Sequence, residues 1–167
     1  MPIITVSTEI AAEVGVCFDL ARSVEAHIAS TRKTHERAVA GVTTGLLGPG
    51  DEVTWRARHL GVVQELTSRI TRFDRPGYFR DEMVGGVFVR FVHDHYFEPT
   101  ATGTIVRDVL DYSSPFGLAG RLVERVYLNS YLSTFLADRA RALKHFAENG
   151  QWRAWLNEGL SQTRLEG

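Results

Sequence analysis

The sequence predicts an α+β domain in which a seven-stranded antiparallel sheet packs on one long C-terminal helix, with two short helices after the first strand. Three observations carry this. Turn-forming residues recur at regular intervals between positions 36 and 112, the segments between them read as strands, and the run 118–148 is helical in pattern and stops at Asn149-Gly150. Connections this short join antiparallel neighbours. At 167 residues the chain fits a single domain over 1–150 with a tail over 151–167, and it is long enough to bury a core and still enclose a cavity.

The first strand is 3–7, which alternates weakly and is rich in β-branched residues. Val14, Cys17, Phe18 and Ala21 then recur at helical spacing within 11–21, and Ser23 is a suitable N-cap for a second short helix over 24–29. Six strands follow, at about 36–44, 51–59, 62–73, 78–84, 88–98 and 104–112. They are separated by Gly48-Pro49-Gly50-Asp51, Leu60-Gly61, Asp74-Arg75-Pro76-Gly77, Gly85-Gly86 and the stretch 99–103. In the long helix Leu136, Ala140, Leu143 and Phe146 form one stripe opposite Asp138, Arg141, Lys144, His145 and Glu148, as expected of a helix lying on a sheet. Its first half, with Val123, Val126, Tyr127, Tyr131 and Phe135, is apolar over a wider arc and needs a second surface to cover it. In the tail Trp152, Trp155, Leu156 and Leu160 share a helical face, which calls for docking on its own domain, a dimer contact with a second copy, or a lid over a pocket.

Charge and cysteine content narrow the function. With 19 Lys+Arg against 20 Asp+Glu there is no polybasic field of the kind that binds nucleic acid. A single cysteine, no apolar run of membrane-spanning length and no basic leader at the N-terminus point to a soluble, cytoplasmic protein. Cys17 lies on the apolar stripe of its helix and reads as a small buried hydrophobe; His27, His35 and His145 read as surface residues.

The chemistry concentrates in Phe91-Val92-His93-Asp94-His95-Tyr96-Phe97, where alternation places Phe91, His93, His95 and Phe97 on one face of a strand. Phe79, Asp81 and Met83 on the preceding strand, and Val106, Asp108 and Leu110 on the following one, fall in phase with them. Two histidines between two carboxylates on an otherwise apolar face suit a lined pocket better than an oily core, because ionisable groups are rarely buried unpaired. A hairpin at Gly85-Gly86 sets Asp81 across from 91–93, and one between Pro99 and Gly103 sets Asp108 near His95, giving each histidine a carboxylate of its own.

The order of elements, together with Val53-Thr54-Trp55-Arg56-Ala57-Arg58-His59, Leu66-Thr67-Ser68-Arg69-Ile70, Asp81-Glu82-Met83, the His93/His95 strand and Asp108-Val109-Leu110-Asp111-Tyr112, resembles the START/Bet v 1-like SRPBCC superfamily. This is also called the polyketide cyclase/dehydrase and lipid transport superfamily, and the likeness, over residues 3–148, is to a bacterial branch described as cyclase/dehydrase-like or ligand-binding, with some cell-division-inhibitor-like members. The resemblance implies a helix-grip fold: a curved sheet wrapped around the C-terminal helix, with a cavity between them for a hydrophobic or aromatic small molecule. It implies no metal and no cofactor, and the absence of Rieske-type cysteine and histidine pairs removes the oxygenase members from consideration. Alternation then assigns His93, His95, Asp81 and Asp108 as candidate acid/base residues. Trp55, His59, Leu66, Phe79, Met83, Phe91, Phe97, Leu110, Tyr112, Tyr131 and Phe135 become candidate ligand-binding residues. Arg56, Arg58, Arg69, Arg80, Glu82 and Arg107 fall on the outer, solvated face.

Three readings of the histidine pair stay open at this point. His93 and His95 could chelate a metal with Asp81 or Asp108; a carboxylate could orient an imidazole for proton transfer on a bound carbonyl compound; or the four could be a satisfied structural network in a regulatory or interaction protein.

Overall fold

The computed structural model describes residues 2–114 and 127–156. Strand β1 (Ile3–Ile10) leads into helices α1 (Val14–Ala21) and α2 (Val24–Ser30) and a 3-10 turn, Arg32–Thr34. There follow β2 (Arg37–Gly41), β3 (Glu52–His59), β4 (Val62–Asp74), β5 (Tyr78–Gly85), β6 (Arg90–Thr100), β7 (Gly103–Ser113) and the long helix α3 (Asn129–Glu148). The seven strands form one curved antiparallel sheet in the order β1-β7-β6-β5-β4-β3-β2, the helix-grip arrangement the sequence predicts.

Differences from the sequence-based boundaries have local causes. Strand β1 runs three residues longer because its ladder with β7 continues through Glu9↔Ile105 and Ile10↔Thr104. Helix α1 accordingly starts at Val14, and the turn before it is pinned by the Thr104 hydroxyl donating to the Ala12 carbonyl at 2.8 Å. Strand β2 stops early, at Gly41, whose φ of 72° leaves the extended region and whose α-carbon faces Glu52 so closely that a Cβ would meet its carbonyl oxygen at 2.2 Å. The cap at Ser23 is present as expected, its Oγ accepting from the Ala26 N–H at 3.2 Å. The first part of the expected helix, 118–126, lies outside the described residues.

Two apolar clusters hold the layers together. Phe18 of α1, fully buried, meets Phe73, Phe79 and Phe97 edge-on at 5.2–5.5 Å, and Leu143, Phe146 and Ala147 of α3 close this larger cluster. Ile4, Leu110, Tyr112, Leu132 and Leu136 form the smaller one. The tail docks on its own domain as far as it is described: Trp155 stands edge-on to Phe146 at 5.0 Å and Leu156 is buried in the larger cluster, whereas Leu160 lies outside the described residues. No described helix is long and apolar enough to cross a membrane.

Candidate functional site

Between sheet and α3 lies a cavity of about 830 Å³. Trp55 and His59 come from β3, Leu66 from β4, Phe79 and Asp81 from β5, Phe91, His93 and His95 from β6, Leu110 from β7, and Tyr131 and Phe135 from α3. Four other candidates do not reach its wall. Phe97 lies past the cavity in the larger core against Phe18, and Tyr112 is buried in the smaller one. Met83, paired with Ser68 just before the register slips, lies against the β5–β6 turn, its sulfur 2.8 Å from where a Cβ on Gly86 would be. Asp108 sits behind the histidines and borders a small cleft with Cys17, Leu20, Ala140 and Leu143.

The hairpin registers bring the two carboxylates to the histidines: Asp81 lies opposite His93, and Asp108 opposite His95. The pairing that results differs from one carboxylate per histidine. His95 donates from Nε2 to Asp81 at 2.9 Å and from Nδ1 to Asp108 at 2.7 Å, so it takes both. The tilted His93 ring stacks at 3.9 Å on that of His95, with Nε2 3.2 Å from Asp108 Oδ1, out of line for a hydrogen bond, and Nδ1 4.0 Å from Asp81. The β-carbons oppose in pairs, but the imidazoles reach diagonally, and the short opposed spacing lets one ring span two neighbouring strands. Phe79 covers the other face of His95 at 4.2 Å.

These contacts set the charge states. Burial opposes a charge on His95, yet the hydrogen bonds to Asp108 and Asp81 outweigh it and hold the imidazolium above its ordinary value. Burial and the adjacent His95 cation push His93 down. Burial also opposes ionisation of both carboxylates, but their histidine contacts win, leaving Asp81 low and Asp108 well below the usual range. The cluster is therefore a cation clamped between two anions, with a neutral imidazole beside it facing the cavity. Asp81, His93 and His95 place ligand atoms within 4.8 Å of one another and could hold a divalent ion, which would have to displace the proton His95 gives to Asp81.

A second polar group borders the same cavity. His27, expected on the surface, instead stacks on Trp55 at 4.0 Å and donates from Nε2 to the buried Glu36. Glu36 also approaches His59 Nε2 at 3.5 Å, and His59 Nδ1 bonds the Tyr131 hydroxyl at 2.8 Å. Burial resists ionisation of Glu36, but His27 and His59 hold it at about 2, while burial keeps His27 low. Arg139 of α3 completes the polar lining. Cys17 is buried, and burial pushes its thiol up.

The outer face is also more structured than a solvated surface. Arg80 grips Asp94 through two hydrogen bonds of 2.7 and 2.9 Å, and Tyr78 donates to the same carboxylate, which with burial moves the phenol up to about 12. Arg80 and Glu82 are half-buried there, whereas Arg56, Arg58, Arg69 and Arg107 are exposed as expected.

Opposing shifts in one pH window give a testable curve. His27 and His93, low in the folded state, lose stability as pH falls below the unfolded value of about 6.5, because the unfolded chain takes up their protons first. His95, raised in the folded state, contributes fully below about 6.5 and loses its contribution as pH rises through its folded value. The thermal midpoint should therefore peak near neutrality, and His95→Gln should abolish the fall on the alkaline side. A wild-type midpoint that keeps rising through pH 9 would exclude a charged His95.

No protein-family model and no curated protein matches the chain. Solved structures do. The protein TTHA0849 from Thermus thermophilus superposes with a TM-score of 0.68 at 18% identity, covering 85% of this chain and 97% of that one. A START superfamily protein from Mycobacterium smegmatis gives 0.67 at 12% identity over 87% and 96%. Ginseng major latex-like protein 151 from Panax ginseng gives 0.63 at 16% identity over 87% and 97%. The fold is the START/Bet v 1-like helix grip.

Proposed function

We propose that this protein binds a hydrophobic or aromatic small molecule in the cavity between sheet and α3, and that the His93/His95/Asp81 cluster moves a proton on it. The carrying observation is the pairing of a cavity of about 830 Å³ that has apolar walls with a few convergent, buried titratable groups, which is how ligand sites are built. His93, neutral and in the wall, has a lone pair to accept a proton, while the Nε2 proton of the His95 imidazolium reaches a ligand through Asp81, which receives it and also lines the cavity. Base and acid side by side suit enolisation, aldol-type ring closure or dehydration of a carbonyl compound, the chemistry of polyketide cyclases and dehydrases. Asp108 touches no ligand in this scheme and acts by holding His95.

N-phenyl-1-naphthylamine, an uncharged apolar fluorophore, should bind with saturable 1:1 enhancement of its emission. Leu66→Trp, which extends a ring into the cavity, should weaken that binding roughly tenfold or more while the protein still melts cooperatively. No saturable binding, or binding indifferent to Leu66→Trp, would refute an internal site. Mass spectrometry of a denatured extract would name a co-purified ligand. If His93→Gln and His95→Gln leave the turnover of such a compound unchanged, the cluster is structural; if the wild type does not turn it over at all, the protein is a carrier or regulatory module.

A further inference from the structure

Arg139 is 8% exposed, sits in the middle of α3 and lines the cavity. Its Nη2 donates to the Ala21 carbonyl at 3.2 Å, its Nε has no partner, and no described carboxylate forms an ion pair with it. Every other described arginine either pairs with a carboxylate, as Arg22, Arg75 and Arg80 do, or stands exposed in solvent, as Arg37, Arg58 and Arg72 do. The acids of the cavity wall are already engaged, Asp81 by His95 and Glu36 by His27 and His59. A guanidinium cannot shed its proton, and a buried charge without a partner is strongly disfavoured. Bidentate pairing with a planar oxyanion is the contact its fork geometry suits best.

Resting on the reading of the cavity as a small-molecule site, we propose that Arg139 anchors the carboxylate of an amphipathic acid, a single anionic head on an apolar body. The apolar wall beyond it, including Trp55, Phe88, Phe91 and Phe135, covers that body. The acid's head is thereby fixed on α3, and its body lies along that apolar wall.

The test is displacement of N-phenyl-1-naphthylamine by 2-naphthoic acid and by methyl 2-naphthoate, with decanoic acid and methyl decanoate as the alkyl pair. In the wild-type protein an acid should compete at concentrations about tenfold or more below its ester, the range expected of a charged hydrogen bond in a buried site. The pair showing the larger preference tells an aromatic body from an alkyl one. Arg139→Gln should bring acid and ester together by weakening the acid alone. Equal competition by acid and ester in the wild type overturns the anchor without touching the cavity reading, and needs no variant that folds. So does an acid preference that survives in a cooperatively melting Arg139→Gln. Failure of the fluorophore and all four competitors to bind overturns both.

Discussion

Replacing Asp108 with Ala is expected to lower folding stability by about 3–5 kcal/mol, the cost of removing one partner from a buried charge pair. Asp108 is buried, holds His95 Nδ1 at 2.7 Å and lies 3.2 Å from His93 Nε2, so the truncation strips the His95 cation of one of its two anions and opens a gap behind both rings. Asp108→Asn keeps shape and an acceptor oxygen but not the charge, and should cost less. In a double-mutant cycle with His95→Gln, Asp108→Asn should couple by about 0.5–3 kcal/mol, as contacting residues do. Urea unfolding measures all of these. A loss under about 1 kcal/mol for Asp108→Ala, within the range of ordinary surface changes, would mean that His95 carries no charge there.

Phe18→Ala should cost a similar amount, about 3–5 kcal/mol, through a different mechanism. The ring is 0% exposed and makes three edge-on contacts with Phe73, Phe79 and Phe97, so its loss leaves a void bounded by three strands and by Leu143 and Phe146. Phe79 is also the ring stacked on His95. The same substitution should therefore weaken fluorophore binding, although Phe18 itself does not line the cavity; Phe18→Leu, which refills most of the volume, should restore much of both. A stability loss with no change in binding would show that Phe79 is held by its strand alone.

How much of this was legible in the sequence follows from the kind of signal each residue carries. The period-two pattern of β6 put His93 and His95 on the helix side, and the turn residues set the strand registers closely enough to bring Asp81 and Asp108 to them. Alternation gives a face and says nothing of depth, which is why Phe97 and Tyr112 share the correct face yet lie beyond the cavity in the two cores. Met83 stands opposite Ser68 and in phase with Asp81, but its sulfur lies at Gly86, a direction that alternation does not carry. His27, Glu36 and Arg139 were missed for a common reason: each is a single polar residue on a helix face or at a loop's end, with no periodic companion. Their partners, Trp55, His59 and the Ala21 carbonyl, are supplied only when α2, β3, α1 and α3 converge. One signal was present, because Arg139 lies three residues after Leu136 and four before Leu143, on the apolar stripe of α3.

The strand order carries a consequence for how the chain is made. Five of the six ladders join strands that follow one another in sequence, so β2 through β7 can zip up hairpin by hairpin, each closure spanning a short loop. The sixth joins the two ends of that series, pairing Ile3 with Asp111, 108 positions later. On the ribosome β1 is made before the other six strands of its sheet, and until β7 emerges the alternating apolar side chains Ile4, Val6 and Ile10 have no neighbouring strand to pair beside. Closing this long loop completes the wall on which α3 rests, so the cavity becomes a compartment only when the first of the seven strands meets the last.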